Sequence, residues 1–381
     1  MKKVLFLAPS LGIGGMERVL ITIANKLSEN GYDVTVMTLN PDMSLADKLS
    51  PKVKVCRKPY KEHFGNRIPY IRHKFYDDGM WETRASAKTL YKYYVGDEKY
   101  DVEIAFFRGL CIKIISGSVN KNAAHLAWVH SDFLKCKGIG NNFKSFDDVK
   151  KAYNMFDSIV CVSKQARESF TEKIGRSENV YTIYNPLPVN EILELKEKEC
   201  PLKKDRFTIM SVGHLLPVKG YDRLLAATKK LCDDGFCFDL WIIGFGKEQE
   251  NLEKYISEND LTNVKLLTNK ENPYAYMREA DLYVCSSRYE GYNLAVAEAL
   301  LCGMSVISTD CTGPSEILDK GKYGMIVENS EEGLYNGLKC LLNNKEKLQE
   351  YKKLTEERKS FFDVDVIIRQ IIDLFNSGRE K

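Results

Sequence analysis

Two carboxylates eight positions apart, Glu290 and Glu298, bracket a strand-to-helix transition. The pattern predicts a strand over 282–286, a loop Arg288-Tyr289-Glu290-Gly291-Tyr292-Asn293, and a helix over 294–301 that ends at Gly303. This helix is rich in alanine and leucine, Glu298 is its only charge, and a helix apolar all round is buried. A buried carboxylate without a partner is costly, so Glu298 needs a side-chain partner or a ligand. Helical side chains lean toward the N-terminus, which points Glu298 back at the loop that carries Glu290. The two acids then line one pocket beside a positive helix end. Alternatively, Glu298 pairs with a buried Arg or Lys while Glu290 caps its loop. Spacing alone leaves both readings open.

Other residues with chemistry sit at similar transitions. Lys219 lies between Gly213 and Gly220 after a strand over 207–212, where it suits an anion or stands as a solvated surface lysine. His130 follows a strand over 126–129 and is expected to point beyond its carboxyl end, or else to be a satisfied structural histidine. Gly12-Ile13-Gly14-Gly15 follows the first strand and opens a helix over 17–30. Glycines there admit a phosphate or sugar to backbone N–H groups, or serve a tight turn with positive φ. Gly244-Phe245-Gly246 also follows a strand, but Gln249 stands where a dinucleotide fingerprint needs Gly or Ala. No nicotinamide or flavin is therefore expected. No carboxylate pair is placed as in a glycosidase, and no His/Asp cluster has metal-ligand spacing, so neither metal nor cofactor is expected.

These residues must be positioned by an α/β framework. Short apolar runs alternate with amphipathic segments along all 381 residues, a length that suits two domains. Strands are expected at 4–8, 33–39, 102–107, 125–129 and 158–162, then at 207–212, 238–243, 264–267, 282–286 and 305–309. Tyr184-Asn185-Pro186-Leu187-Pro188 reads as a linker, and apolar positions from Phe361 to Phe375 mark a closing amphipathic helix. The expected architecture is two doubly wound Rossmann-like domains facing across a cleft, with ligands beyond the carboxyl ends of the strands. Net charge is only +3, which gives no chain-wide basic field for nucleic acid. The eleven cysteines form no CxxC pair and fit buried hydrophobes in a reducing compartment. No run approaches the ~20 apolar residues of a membrane span. Pro9 and the glycines after it break a signal-like start, so a cytoplasmic protein is expected.

The spacing Glu290, seven residues, Glu298, then Ala-Leu-Leu-Cys-Gly-Met-Ser-Val-Ile-Ser-Thr resembles the family 4 retaining glycosyltransferases of the GT-B fold. Ser211-Val212-Gly213-His214-Leu215-Leu216-Pro217-Val218-Lys219-Gly220-Tyr221 is similar to that family's phosphate loop, and Gly14-Gly15-Met16-Glu17 to its N-terminal loop. Ala127-Trp128-Val129-His130-Ser131 and Ile183-Tyr184-Asn185-Pro186 resemble its histidine motif and linker.

The resemblance implies an acceptor-binding domain over 1–187, a nucleotide-sugar domain over 188–360, and a helix 361–381 packing back on the first. It implies that Glu298 accepts ribose hydroxyls, that Glu290 meets sugar hydroxyls, and that backbone N–H groups at Gly291, Tyr292, Asn293 and Leu294 face sugar and phosphate. Lys219 would neutralise the diphosphate, and His130 would help position the donor sugar with Gly14 and Gly15 nearby. His214 departs from the family's usual arginine; if it meets phosphate, affinity should fall between about pH 6 and pH 8. The implied activity is hexose or N-acetylhexosamine transfer from a nucleotide-sugar, UDP by family frequency, to a glycan or lipid-linked glycan in surface polysaccharide or glycolipid assembly. The rivals are a nucleotide-sugar epimerase and a catalytically silent sugar-binding subunit. From Pro51 to Tyr76 there are eight Lys/Arg, two His and one acid, with aromatic residues among them. That stretch suits either an anionic membrane surface at the inner face or an ordinary solvated loop.

Overall fold

A computed structural model describes residues 1–57, 80–268 and 272–377. The basic residues at 58–76 therefore lie outside the described ones. The chain forms two compact units, Met1–Pro186 with Asp365–Lys381, and Leu187–Val364. Each unit is built on a parallel sheet.

In the first unit the strands are β1 (Lys3–Ala8), β2 (Asp33–Thr38), β3 (Lys54–Arg57), β4 (Val102–Ala105), β5 (Ala124–Val129), β6 (Ser158–Cys161) and β7 (Val180–Thr182). Their order across the sheet is β3-β2-β1-β4-β5-β6-β7. The second unit has β8 (Thr208–Val212), β9 (Asp239–Ile243), β10 (Val264–Leu267), β11 (Leu282–Cys285), β12 (Ser305–Thr309) and β13 (Met325–Val327), in the order β10-β9-β8-β11-β12-β13. The central strands are continuous apolar runs because helices cover both faces of a doubly wound sheet. Val4 to Ala8, for example, are all fully buried. Edge strands lack that signature. Lys54, Val55 and Arg57 of β3 are exposed and β13 is only half-buried, which is why neither run stands out in the sequence.

The strand order reverses between β1 and β4 in one sheet and between β8 and β11 in the other. The region beyond the carboxyl ends of strands at such a reversal is the usual ligand position in doubly wound sheets. The helix Val364–Ser377 belongs to the first unit from Asp365 onward, with Ile367, Ile368, Ile371 and Phe375 buried and Phe375 edge-on to Tyr32 at 5.6 Å.

Behind the first sheet's core lies a charged cluster. Glu103 of β4, fully buried, accepts Tyr91 Oη at 2.7 Å and stands 3.4 Å from His125 Nε2. His125 Nδ1 is 3.6 Å from Asp157, whose carboxylate also takes the His125 backbone N–H at 2.9 Å. Burial alone would lower the imidazole's pKa, but Asp157 and Glu103 together push it up to about 9. A folded-state value above the unfolded one gives stability that is complete below pH 6.5 and lost as pH rises through about 9. The loss expected in urea unfolding between pH 6.5 and 10 is up to about 3 kcal/mol, and His125→Gln should flatten it. Equal pH slopes in the two proteins would contradict this charge assignment.

Candidate functional site

The reversal in the second sheet brings two loops together. One follows β8 and carries His214 and Lys219; the other follows β11 and carries Ser287, Glu290 and Asn293. Lys219 Nζ donates to Glu290 Oε1 at 2.7 Å. Ser287 Oγ donates to the same oxygen at 2.6 Å and Asn293 Nδ2 at 3.1 Å. Three donors thus converge on Oε1, while Oε2 makes no bond among the described residues. Burial works against the Lys219 charge, yet the Glu290 carboxylate raises its pKa well above the ordinary range, so the ammonium persists at any working pH. The alternative in which Glu290 merely caps its loop is replaced by this ion pair, and Lys219 is no solvated surface lysine.

Backbone bonds lock the two loops to each other. Arg288 N–H donates to Val218 O at 2.7 Å, and Ser286 Oγ to Lys219 O at 2.8 Å. Gly220 has φ +66°, and a Cβ there would collide with the Ser286 carbonyl oxygen, so this position admits only glycine. Arg288 forks across Asp222 with bonds of 2.8 and 2.6 Å. At the start of the next helix, Leu294–Leu301, Asn293 takes the left-handed conformation with φ 72°. Its side-chain oxygen caps Val296 N–H at 3.2 Å, while its amide donates to Glu290 and Cys285. One residue therefore caps the helix and aims the carboxylate. Gly291 and Tyr292 are buried in this loop, and the N–H groups of Gly291, Asn293 and Leu294 reach no acceptor among the described residues.

Glu298 lies 8% exposed in that helix and accepts Tyr274 Oη at 3.0 Å. The buried carboxylate thus has a phenol donor on one oxygen. His214 follows β8, with its ring 4.9 Å from Phe245. Burial lowers its pKa and Lys219 lowers it further, so at neutral pH the imidazole is uncharged.

The remaining candidates belong to the first unit, at the carboxyl ends of β1 and β5. Gly14 is extended (φ −163°) and caps the helix Gly15–Glu29 with no side-chain cap. Neither it nor Gly12 nor Gly15 has positive φ, which removes the tight-turn explanation. His130 Nε2 lies 2.8 Å from Phe106 O. A carbonyl only accepts, so Nε2 carries the proton. The ring packs on Phe106 at 4.7 Å, and burial, with Arg108 nearby, pushes its pKa down to about 4. A neutral imidazole with its N–H committed is not poised as a general acid.

Ser287, Tyr274 and the Arg288–Asp222 fork were not evident in the sequence. Ser287 adjoins the carboxylate loop and was within reach of a motif reading; Tyr274, 24 residues before Glu298, carries no local signal.

The sequence model described as Glycosyl transferases group 1 matches residues 194–358, and that of Glycosyltransferase Family 4 matches residues 13–191. An uncharacterized glycosyltransferase of Haemophilus influenzae is 28% identical over 91% of this chain and 92% of its own. The N-acetylgalactosamine-N,N'-diacetylbacillosaminyl-diphospho-undecaprenol 4-alpha-N-acetylgalactosaminyltransferase of Campylobacter jejuni is 26% identical over 95% of this chain and 96% of its own. Among solved structures, Anabaena HepE in complex with UDP and glucose superposes with a TM-score of 0.77 at 20% identity, covering 98% of this chain and 99% of its own. That likeness is one of fold.

The Lys219–Glu290 pair makes a stability prediction. Removing either partner of this half-buried pair strands the other charge, so Lys219→Met and Glu290→Gln should each cost about 1–3 kcal/mol in urea unfolding, and the double variant less than the two losses added together. Additive losses would contradict the pairing.

Proposed function

The chain belongs to the glycosyltransferases of the GT-B fold, and from that premise we propose that it is a retaining enzyme moving a hexose or N-acetylhexosamine from a UDP-sugar to a lipid-linked glycan. The observation that carries this reading is the convergence of Lys219, Ser287 and Asn293 on one oxygen of Glu290, at the point where the strand order reverses. Such an arrangement leaves Glu290 Oε2 for a sugar hydroxyl. It also sets an ammonium where a diphosphate can share it. Glu298, on the following helix, would accept the ribose hydroxyls, each charge-assisted bond contributing about 1.5–3 kcal/mol. The N–H groups of Gly291 to Leu294 would face the sugar and its phosphate at a positive helix end.

In the proposed reaction the bond from the sugar's anomeric carbon to the phosphate oxygen breaks. The acceptor hydroxyl bonds to that carbon on the same face, and its proton passes to the departing phosphate. Lys219 stabilises the charge that develops on the leaving group. His130, neutral and donating to Phe106 O, is left a positioning role, in keeping with proton transfer to phosphate. Gly14 and Gly15 keep their donor-side assignment from the family resemblance. UDP in the HepE structure and the diphospho-undecaprenol acceptor named for the Campylobacter relative favour this donor and acceptor. The basic stretch 51–76 favours work at the inner face of an anionic membrane.

Calorimetric titration of UDP, GDP and ADP tests the donor site. UDP should bind preferentially, and Glu298→Ala and Lys219→Ala should each weaken it by about 10–100-fold, or 1.4–2.8 kcal/mol. Unchanged UDP affinity in both variants would remove the donor assignment.

The lowered pKa of His214 bears on the onset of the pH dependence anticipated from sequence. A diphosphate favours the charged imidazole, so affinity is highest below the free-state pKa and declines above it. Because burial and Lys219 hold that pKa under 6.5 in the free protein, the decline sets in below pH 6.5 and ends where contact with phosphate has raised the pKa. Affinity for an intact UDP-sugar, whose diphosphate does not titrate near neutrality, should fall by up to about tenfold as pH rises, with His214→Arg flat. A wild-type profile equally flat would show that His214 meets no phosphate.

A further inference from the structure

We propose that Tyr274 is a positioning residue for the donor nucleotide, its phenol hydroxyl orienting the Glu298 carboxylate toward the ribose. The inference rests on the reading of Glu298 given above and extends it to a residue in a different element. Tyr274 is 2% exposed, and its Oη lies 3.0 Å from Glu298 Oε1 in a buried contact. A carboxylate turns readily about its last torsion, so a fixed donor on one oxygen sets the plane in which the group faces a ligand.

The donor is itself anchored. Asn272 accepts the Tyr274 backbone N–H at 3.1 Å and donates its amide to Leu195 O at 2.8 Å, tying the start of the helix Pro273–Glu279 to the helix Val189–Lys196. Pro273 at the first helical position fixes the backbone between them. Position therefore passes from Leu195 through Asn272 to the phenol and on to the carboxylate, all within the second unit.

The test compares UDP with 2′,3′-dideoxy-UDP, by calorimetry on the full chain, in wild type, Tyr274→Phe and Glu298→Ala. Tyr274→Phe should weaken UDP about tenfold and the dideoxy nucleotide less than about twofold, because its effect needs the ribose hydroxyls. Equal losses for both nucleotides, or none for UDP, would overturn the proposal and leave Tyr274 a packing residue. If Glu298→Ala discriminates between the nucleotides and Tyr274→Phe does not, only the proposal falls. If Glu298→Ala does not discriminate, the ribose reading falls and takes the proposal with it. Should Tyr274→Phe alone not fold, the double variant Tyr274→Phe/Glu298→Ala removes both partners. It should bind UDP as Glu298→Ala does, and a further loss would overturn the proposal.

Discussion

An ammonium and a carboxylate, Lys219 and Glu290, are held 2.7 Å apart across the point where the second sheet reverses direction. Much of the local structure follows from keeping that pair intact while it is largely out of water. Desolvating two charges is expensive, and only close geometry with further hydrogen bonds offsets the cost. Ser287 and Asn293 supply those bonds. Asn293 adopts a left-handed backbone to do so, and Gly220 clears the space in which the two loops touch. The result is a preorganised charge pair beyond the carboxyl ends of β8 and β11.

The other ionisable groups near the candidate positions are tuned in the opposite sense. Both His130 and His214 are driven toward the neutral form, by burial first and by a neighbouring cation second. Glu298 is held by a neutral phenol. In each unit, then, the candidate imidazole is uncharged at neutral pH, while Lys219 keeps its charge.

Much of this was legible in the sequence because the central strands are buried on both faces. Their apolar runs, together with glycines at the following turns, gave the two sheets, their parallel sense and the loops that carry Lys219, Glu290 and Glu298. Edge strands β3, β7 and β13 were not legible, since short length and partial exposure remove the apolar run that marks a strand. The partners of the two carboxylates were hidden for a different reason. Lys219 and Glu290 are 71 residues apart, and Tyr274 stands in another element from Glu298, so nothing local records either contact. His214 could be seen as a departure from arginine, but its protonation state depends on burial and on Lys219, which only the folded chain reveals.

The most direct measurement is a crystal structure of the protein with a bound UDP-sugar. The account predicts Lys219 Nζ within hydrogen-bond distance of a diphosphate oxygen, Glu290 Oε2 on a sugar hydroxyl, and Glu298 on the ribose with Tyr274 still attached. A nucleotide bound away from the loops after β8 and β11, or one that leaves Lys219 bonded to Glu290 alone, would contradict it.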